Sequence, residues 1–109
     1  MIVEQRAYTF HPGKVGTFLR LYESEGMLVQ RRILGRMIGY FTSDFGELNQ
    51  VVHLWGYADL ADRSVRREAL FADQTWMQYF ERVLPLLVRQ ECTILTPTHF
   101  SPIGGYEEE

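Results

Sequence analysis

Four segments rich in β-branched and aromatic residues, separated by two stretches of helical periodicity, constrain the fold of this chain most strongly. Strands are predicted at residues 2–10, 36–43, 49–58 and 87–96, and helices at residues 13–32 and 59–85. Asp59 and Asp73 each precede a helical pattern as N-caps, so the second helix is predicted to be split in two. This β-α-β-β-α-β order is typical of the ferredoxin-like α+β fold, in which helices cover one face of a four-stranded antiparallel sheet.

The size and charge of the chain limit its class. Its 109 residues, of which 46% are hydrophobic, fit a single domain over residues 1–109 with an ordinary core. An irregular acidic tail is expected over about residues 104–109. The formal net charge of −3 argues against nucleic acid or an anionic membrane as an obligate partner, since both select a basic surface.

Several sequence signals are absent. The chain does not begin with a secretory signal, and no apolar run approaches the roughly 20 residues that span a bilayer, so we expect a cytoplasmic protein without a membrane span. The single cysteine, Cys92, lies in an apolar run and is predicted to be an inert core residue. Neither a nucleotide-binding motif nor ligand-like spacing of His11, His53 and His99 occurs, so no cofactor and no metal are predicted.

Residues 49–57, NQVVHLWGY, place polar-tipped aromatic side chains on one face of the third strand. We call this face the aromatic row, and it carries Val51 together with the ring-bearing residues His53, Trp55 and Tyr57. Two helices can cover only one face of the sheet, and we predict that the row lies on the uncovered face. A second copy of the chain, packed sheet against sheet in a symmetric homodimer, would then cover it.

Four pieces of the sequence carry a family resemblance: EQRAYTFHPGKVGTFLRLY, LGRMIGYFTSDFGELNQVVHLWGYADLADRSVRREAL, DQTWMQYF and ILTPTHFSP. The PG pair after the first strand, GYF before the hairpin, LNQVVHLWGY and the late FSP are its most specific parts. On these residues the chain resembles the NIPSNAP family over about nine tenths of its length. The resemblance implies a dimeric α+β barrel, in which two ferredoxin-like sheets close around an interior. It brings no settled reaction and no catalytic residue.

The interior of that barrel is the candidate site. Its predicted members are Arg6, Tyr8, Trp55 and Tyr57 as ligand-binding residues and His53 as the catalytic candidate, with Glu4 and Gln90 beside them. An imidazole suits general base catalysis, Glu4 could orient it, and Arg6 could hold an anionic substrate. Two alternatives stay open, namely that the row is ordinary core and that Glu4 and Arg6 form a structural ion pair. A one-residue shift in register would also reverse the faces.

The sequence therefore predicts a homodimer that binds a small molecule inside its barrel, and it leaves open whether the protein is a cofactor-independent enzyme. The alternative is a non-catalytic structural or adaptor protein that acts through protein–protein contacts. That alternative draws on the lack of a recognised catalytic motif, on the FSP tail, and on the arginine-rich second helix with Arg63, Arg66 and Arg67. The arginines themselves are predicted to form a solvated helix face.

Overall fold

The computed structural model describes residues 1–105, and within them the predicted order of elements is confirmed. The strands are β1 Ile2–Phe10, β2 Arg36–Thr42, β3 Gln50–Tyr57 and β4 Leu87–Leu95. The first helical region consists of α1 Val15–Leu21, a π-helical turn Tyr22–Gly26 and α2 Met27–Leu34. The second consists of α3 Leu60–Ala72, α4 Gln74–Val83 and a 3-10 turn Leu84–Leu86. Residues 106–109 of the predicted acidic tail lie outside the described part of the chain.

The strands form one antiparallel sheet in the order β2-β3-β1-β4. The central pair is β1 and β3, which run side by side from Ile2 opposite Tyr57 to Thr9 opposite Gln50. Strand β4 pairs with the other side of β1 and forms one edge of the sheet. The sheet with its helices is the predicted ferredoxin-like α+β architecture.

Two aspartates begin the helices of the second half, as predicted. The Asp59 side chain accepts a hydrogen bond from the backbone N–H of Asp62 at 2.8 Å, and the Asp73 side chain accepts one from Trp76 at 2.9 Å. A cap of this kind stabilises a helix start by about 1 kcal/mol. The backbone of Asp73 is extended, with φ −83° and ψ 123°, and therefore separates α3 from α4.

Gly26 marks a close approach between two helices. It ends the π-helical turn, and a Cβ placed on it would lie 2.7 Å from ring atoms of Tyr79 in α4. Only a residue without a side chain allows this contact. Tyr22 begins the same turn, is buried, and donates its hydroxyl hydrogen to Gln30 Oε1 at 2.6 Å.

The hydrophobic core lies between the helices and one face of the sheet. Aromatic rings dominate it, namely those of Tyr8, Phe10, Phe18, Tyr22, Trp55, Tyr57, Trp76 and Tyr79. Burial of a single large apolar side chain contributes roughly 1.5–3 kcal/mol, so this layer supplies much of the stability. Within residues 1–105, no helix is long and apolar enough to cross a bilayer.

Candidate functional site

The aromatic row lies beneath the helices and not on the uncovered face of the sheet. In the isolated chain Trp55 is 0% exposed and His53 is 1% exposed, so the helices of the same chain already cover them. The prediction that a second copy covers this row is therefore wrong. Strand β3 is apolar on both faces, with Val52 and Leu54 on the other side, and alternation alone does not indicate which face the helices cover.

Strand pairing brings the predicted residues of three strands together. Glu4 lies opposite Trp55, and Arg6 lies opposite His53. On the other side of β1, Cys92 of strand β4 lies opposite Arg6. Because directly paired residues point to the same face of a sheet, these side chains share the helix-covered face.

Glu4 is the centre of a buried charge cluster, defined here as Glu4, Arg6 and Arg63. Its side chain is 0% exposed, and Oε2 accepts hydrogen bonds from Arg6 Nη1 at 2.9 Å and from Arg63 Nη2 at 2.7 Å. The Cys92 thiol donates to the same oxygen at 2.8 Å, and the Tyr57 hydroxyl donates to Oε1 at 3.4 Å.

The hydrogen bonds to Glu4 keep it ionised. Burial raises the pKa of this carboxyl group, but the hydrogen bonds from Arg63 and Cys92 and the nearby guanidinium charges outweigh burial and hold the pKa at about 2. The structural ion pair between Glu4 and Arg6 that the sequence left open is thus present, and Arg63 extends it.

Arg6 connects the carboxylate to the aromatic part of the site. It is 8% exposed, its Nε donates to the Tyr8 hydroxyl at 3.2 Å, and its guanidinium carbon lies 5.6 Å from the centre of the Tyr8 ring. These bonds use Nε and Nη1, while Nη2 donates to no residue within positions 1–105. Gln90, which lies opposite Tyr8, is exposed on β4.

His53 lies among aromatic rings and carries an unused hydrogen-bond donor. Its Nδ1 accepts from the Trp55 indole N–H at 2.7 Å, its ring stacks on Tyr40 with centroids 4.5 Å apart, and it meets Tyr8 edge to face at 4.8 Å. A neutral imidazole whose Nδ1 accepts has its proton on Nε2. Among the described residues this buried Nε2 has no hydrogen-bond partner.

The surroundings of His53 favour a donor role over a basic one. Burial, together with the nearby positive charge of Arg6, lowers the pKa of His53 to about 3. The imidazole is therefore neutral near pH 7 and is a weak base. What it offers a ligand is the Nε2–H, which could donate to an oxygen atom in the interior.

Two members of the site were not identified from the sequence. Arg63 is predicted to be solvated, yet it reaches down from α3 to bind Glu4 across 59 positions of sequence. Cys92 is predicted to be a core residue, yet it is exposed, because edge strand β4 is exposed along nearly all its length. Although the residue is exposed, its sulfur atom is partly shielded from water against Glu4, and this shielding and the hydrogen bond to Glu4 raise the pKa of Cys92, so its thiol stays protonated. The available sequence signal was the alternation along β4, which could have placed Cys92 on the same face as Arg6 of β1.

The site as a whole is rich in hydrogen-bond donors. We define the helix-side site as the charge cluster together with Tyr8, His53 and Cys92. It contains two guanidinium groups and an imidazole N–H but only one carboxylate, so it suits a ligand that brings its own acceptor atoms. Within residues 1–105, no group of three or more His, Cys, Asp or Glu side chains could hold a metal ion.

Comparisons with known proteins agree with this architecture. A model of the NIPSNAP family matches residues 3–102. A crystal structure of a NIPSNAP family protein from Agrobacterium tumefaciens is 47% identical, covers 94% of this chain and 97% of that chain, and superposes with a TM-score of 0.92. The curated NipSnap homolog 3B of Mus musculus is 37% identical over 110 residues, which cover 97% of this chain and 43% of that protein. The chain thus spans less than half the length of this curated relative.

A more distant likeness shows how widely the fold occurs. The crystal structure of an antibiotic biosynthesis monooxygenase superposes with a TM-score of 0.63 at 12% identity, over 90% of this chain and 99% of that one. Identity at this level shows a shared fold alone.

Proposed function

The chain belongs to the NIPSNAP family, and on that premise we propose that it is a homodimer that binds a small molecule at the helix-side site. The charge cluster carries this proposal. Replacing buried ion pairs by apolar groups of similar volume is often neutral or stabilising, so stability alone does not explain a buried carboxylate held by two guanidinium groups. Ionisable groups with shifted pKa values that gather in one place are instead typical of binding and catalytic sites.

Access to the site supports the same proposal. The Arg63 side chain is 24% exposed and Cys92 is exposed, so the charge cluster meets solvent along strand β4. A ligand that binds at this edge would contact Arg63 first, ahead of the buried Arg6 and Tyr8 on β1. This entry differs from the one expected from sequence, because it lies on the helix side of the sheet.

The proposal extends to cofactor-independent catalysis, with His53 in a donor role. Its buried Nε2–H would stabilise negative charge that develops on a substrate oxygen, and a donor fixed in a water-poor site does so more strongly than water. Trp55 would hold the tautomer that makes this donor available. The monooxygenase fold described above supports such chemistry by analogy only.

Ligand binding can be tested with a pair of tyrosine variants. A thermal-shift screen of small acids, quinones and haem should identify compounds that stabilise the protein. Tyr8→Phe removes the hydroxyl that accepts from Arg6 but keeps the ring, and we expect hits to bind about tenfold more weakly to it, equivalent to about 1.4 kcal/mol. Tyr22→Phe is the matched control, because its hydroxyl bonds Gln30 elsewhere in the core. If the compounds bind Tyr8→Phe and wild type equally well, the ligand binds outside the helix-side site.

The uncovered face of the sheet supports the homodimer. Phe41 of β2 is 55% exposed on that face, beside the half-buried Val52 and Leu54. A sheet face in contact with water is expected to be polar, and an apolar one marks a contact surface. A second copy, packed face to face, is the cover that the family resemblance implies.

Sedimentation velocity can test the homodimer. We expect wild type to sediment as a dimer at micromolar concentration and Phe41→Glu to weaken it by about 2 kcal/mol or more, roughly thirtyfold, because the new carboxylate would be buried at the interface. Leu28→Glu introduces the same charge on the exposed side of α2 and should leave the dimer intact. A wild-type protomer that stays monomeric under these conditions would refute the dimer.

Two exposed phenylalanines support the alternative that the protein is an adaptor. Phe45 at the tip of the β2–β3 hairpin is 94% exposed, and Phe100 of the FSP motif is 65% exposed. Single apolar side chains at such positions can anchor a protein partner. If the protein is a dimer and none of the screened compounds stabilises it, the result would favour this alternative.

A further inference from the structure

Arg67 lies one helical turn after Arg63 on α3 and is the least satisfied cation of this region. Its side chain is half-buried, and its guanidinium carbon lies 5.1 Å from the centre of the Phe71 ring. Within residues 1–105, Arg67 makes no hydrogen bond and no ion pair. Its neighbour Arg63, by contrast, donates to Glu4 through both Nε and Nη2.

The charges around Arg67 do not balance. Arg6 and Arg63 both bind the single carboxylate of Glu4, and Arg67, one helical turn after Arg63, adds a third guanidinium group with no acidic partner among residues 1–105. Two positive charges are therefore in excess. The whole chain has a net charge of −3, so this excess is local. Arg67 lies one turn after Arg63 on α3, so both side chains project from the same side of that helix. Burial lowers the pKa of Arg67, and the positive charge of Arg6 acts in the same direction.

Unused donors accompany the excess charge. The whole guanidinium fork of Arg67 and the Nη2 of Arg6 donate to no described residue. Guanidinium forks match the paired oxygens of a carboxylate or phosphate and bind them through charge-assisted hydrogen bonds. The rings of Phe71 and Tyr8 lie beside these donors and supply apolar surface.

We propose that the helix-side site binds an organic acid, with Arg67 and Arg6 as the anion-binding residues and Phe71 beside the apolar part of the ligand. This inference rests on the proposed function and adds to it the chemical class of the ligand. The carboxylate of the acid supplies the negative charge that the cluster lacks, and its oxygens accept from the unused N–H groups.

Three probes test this proposal: benzoate, its neutral isostere benzamide, and inorganic phosphate. Each is titrated into wild type, Arg67→Met and Arg20→Met, and binding is followed by NMR and by the melting temperature. Arg20 is exposed on α1, so its replacement repeats the change of charge away from the site. We expect benzoate to bind wild type and Arg20→Met alike, at least tenfold more weakly to Arg67→Met, and benzamide to bind none of them measurably. Phosphate binding without benzoate binding would overturn the organic acid in favour of an inorganic anion.

A second readout does not depend on any ligand. Met keeps the apolar stem of Arg67 and removes an unsatisfied half-buried charge, so unliganded Arg67→Met should melt at a higher temperature than wild type. A lower melting temperature would mean that Arg67 is structural and would overturn the inference. If benzamide binds as well as benzoate and Arg67→Met changes neither, the anion class is wrong while small-molecule binding stands. If no probe and no compound of the wider screen binds, both proposals fail.

Discussion

Replacing Glu4 by Gln is expected to lower the free energy of unfolding by about 3–5 kcal/mol, because it leaves the guanidinium groups of Arg6 and Arg63 without their counter-charge. Arg6 is 8% exposed and cannot turn to water without moving β1. The depressed pKa of Glu4, about 2 instead of 4.5, corresponds to about 3 kcal/mol and agrees with this range.

Urea denaturation at pH 7 measures this effect. Glu47→Gln is the matched control, since Glu47 meets Arg89 at 3.5 Å in an exposed pair and its loss should change stability by less than about 0.5 kcal/mol. The folded-state pKa of Glu4 is depressed, so its contribution exists above pH 4.5 and is lost as the pH falls towards 2. The Glu4→Gln variant should not show this loss of stability at acidic pH. A destabilisation below about 1 kcal/mol would mean that the cluster holds little net stability.

Acidification from pH 6.5 to pH 5 is expected to remove about 2 kcal/mol from the stability of the protein through His53 alone. The folded-state pKa of His53, about 3, lies below its ordinary value of 6.5. Over this range the imidazole becomes largely protonated in the unfolded chain while the folded chain keeps it neutral, so the unfolded state binds more protons and stability falls as the pH falls. The window lies above the titration of Glu4, which separates the two effects.

His53→Asn tests the source of this acid sensitivity. The Asn side chain does not titrate, and its Oδ1 can accept the Trp55 indole N–H near the position of Nδ1. We expect the variant to start less stable, because it leaves a void, and to show a nearly flat stability between pH 6.5 and pH 5. His11→Asn is the control, since His11 is exposed and should keep the wild-type slope. An unchanged slope in His53→Asn would show that His53 titrates normally in the folded protein.

The fold was predictable because its signals are local. The caps at Asp59 and Asp73, the turn residues after β1 and the alternation within each strand all act over a few residues. The described chain therefore has the predicted order and sheet.

The site was predictable only in part, because its geometry depends on tertiary contacts. Arg6, Tyr8 and His53 were expected together and do share one face, but the choice of face depends on where the helices dock. The contact from Arg63 to Glu4 requires the position of α3 over β1, which no local pattern encodes. Cys92 is exposed because the helices leave β4 uncovered, and an apolar run does not reveal that.

The hydrogen bond from Trp55 to His53 also gives the protein a built-in optical reporter. The chain has two tryptophans, Trp55 and Trp76, and both are buried. Indole emission responds to the groups that touch the ring, and the indole N–H of Trp55 is bound directly to the imidazole. Fluorescence of a Trp76→Phe variant would then follow events at the centre of the sheet without any added dye.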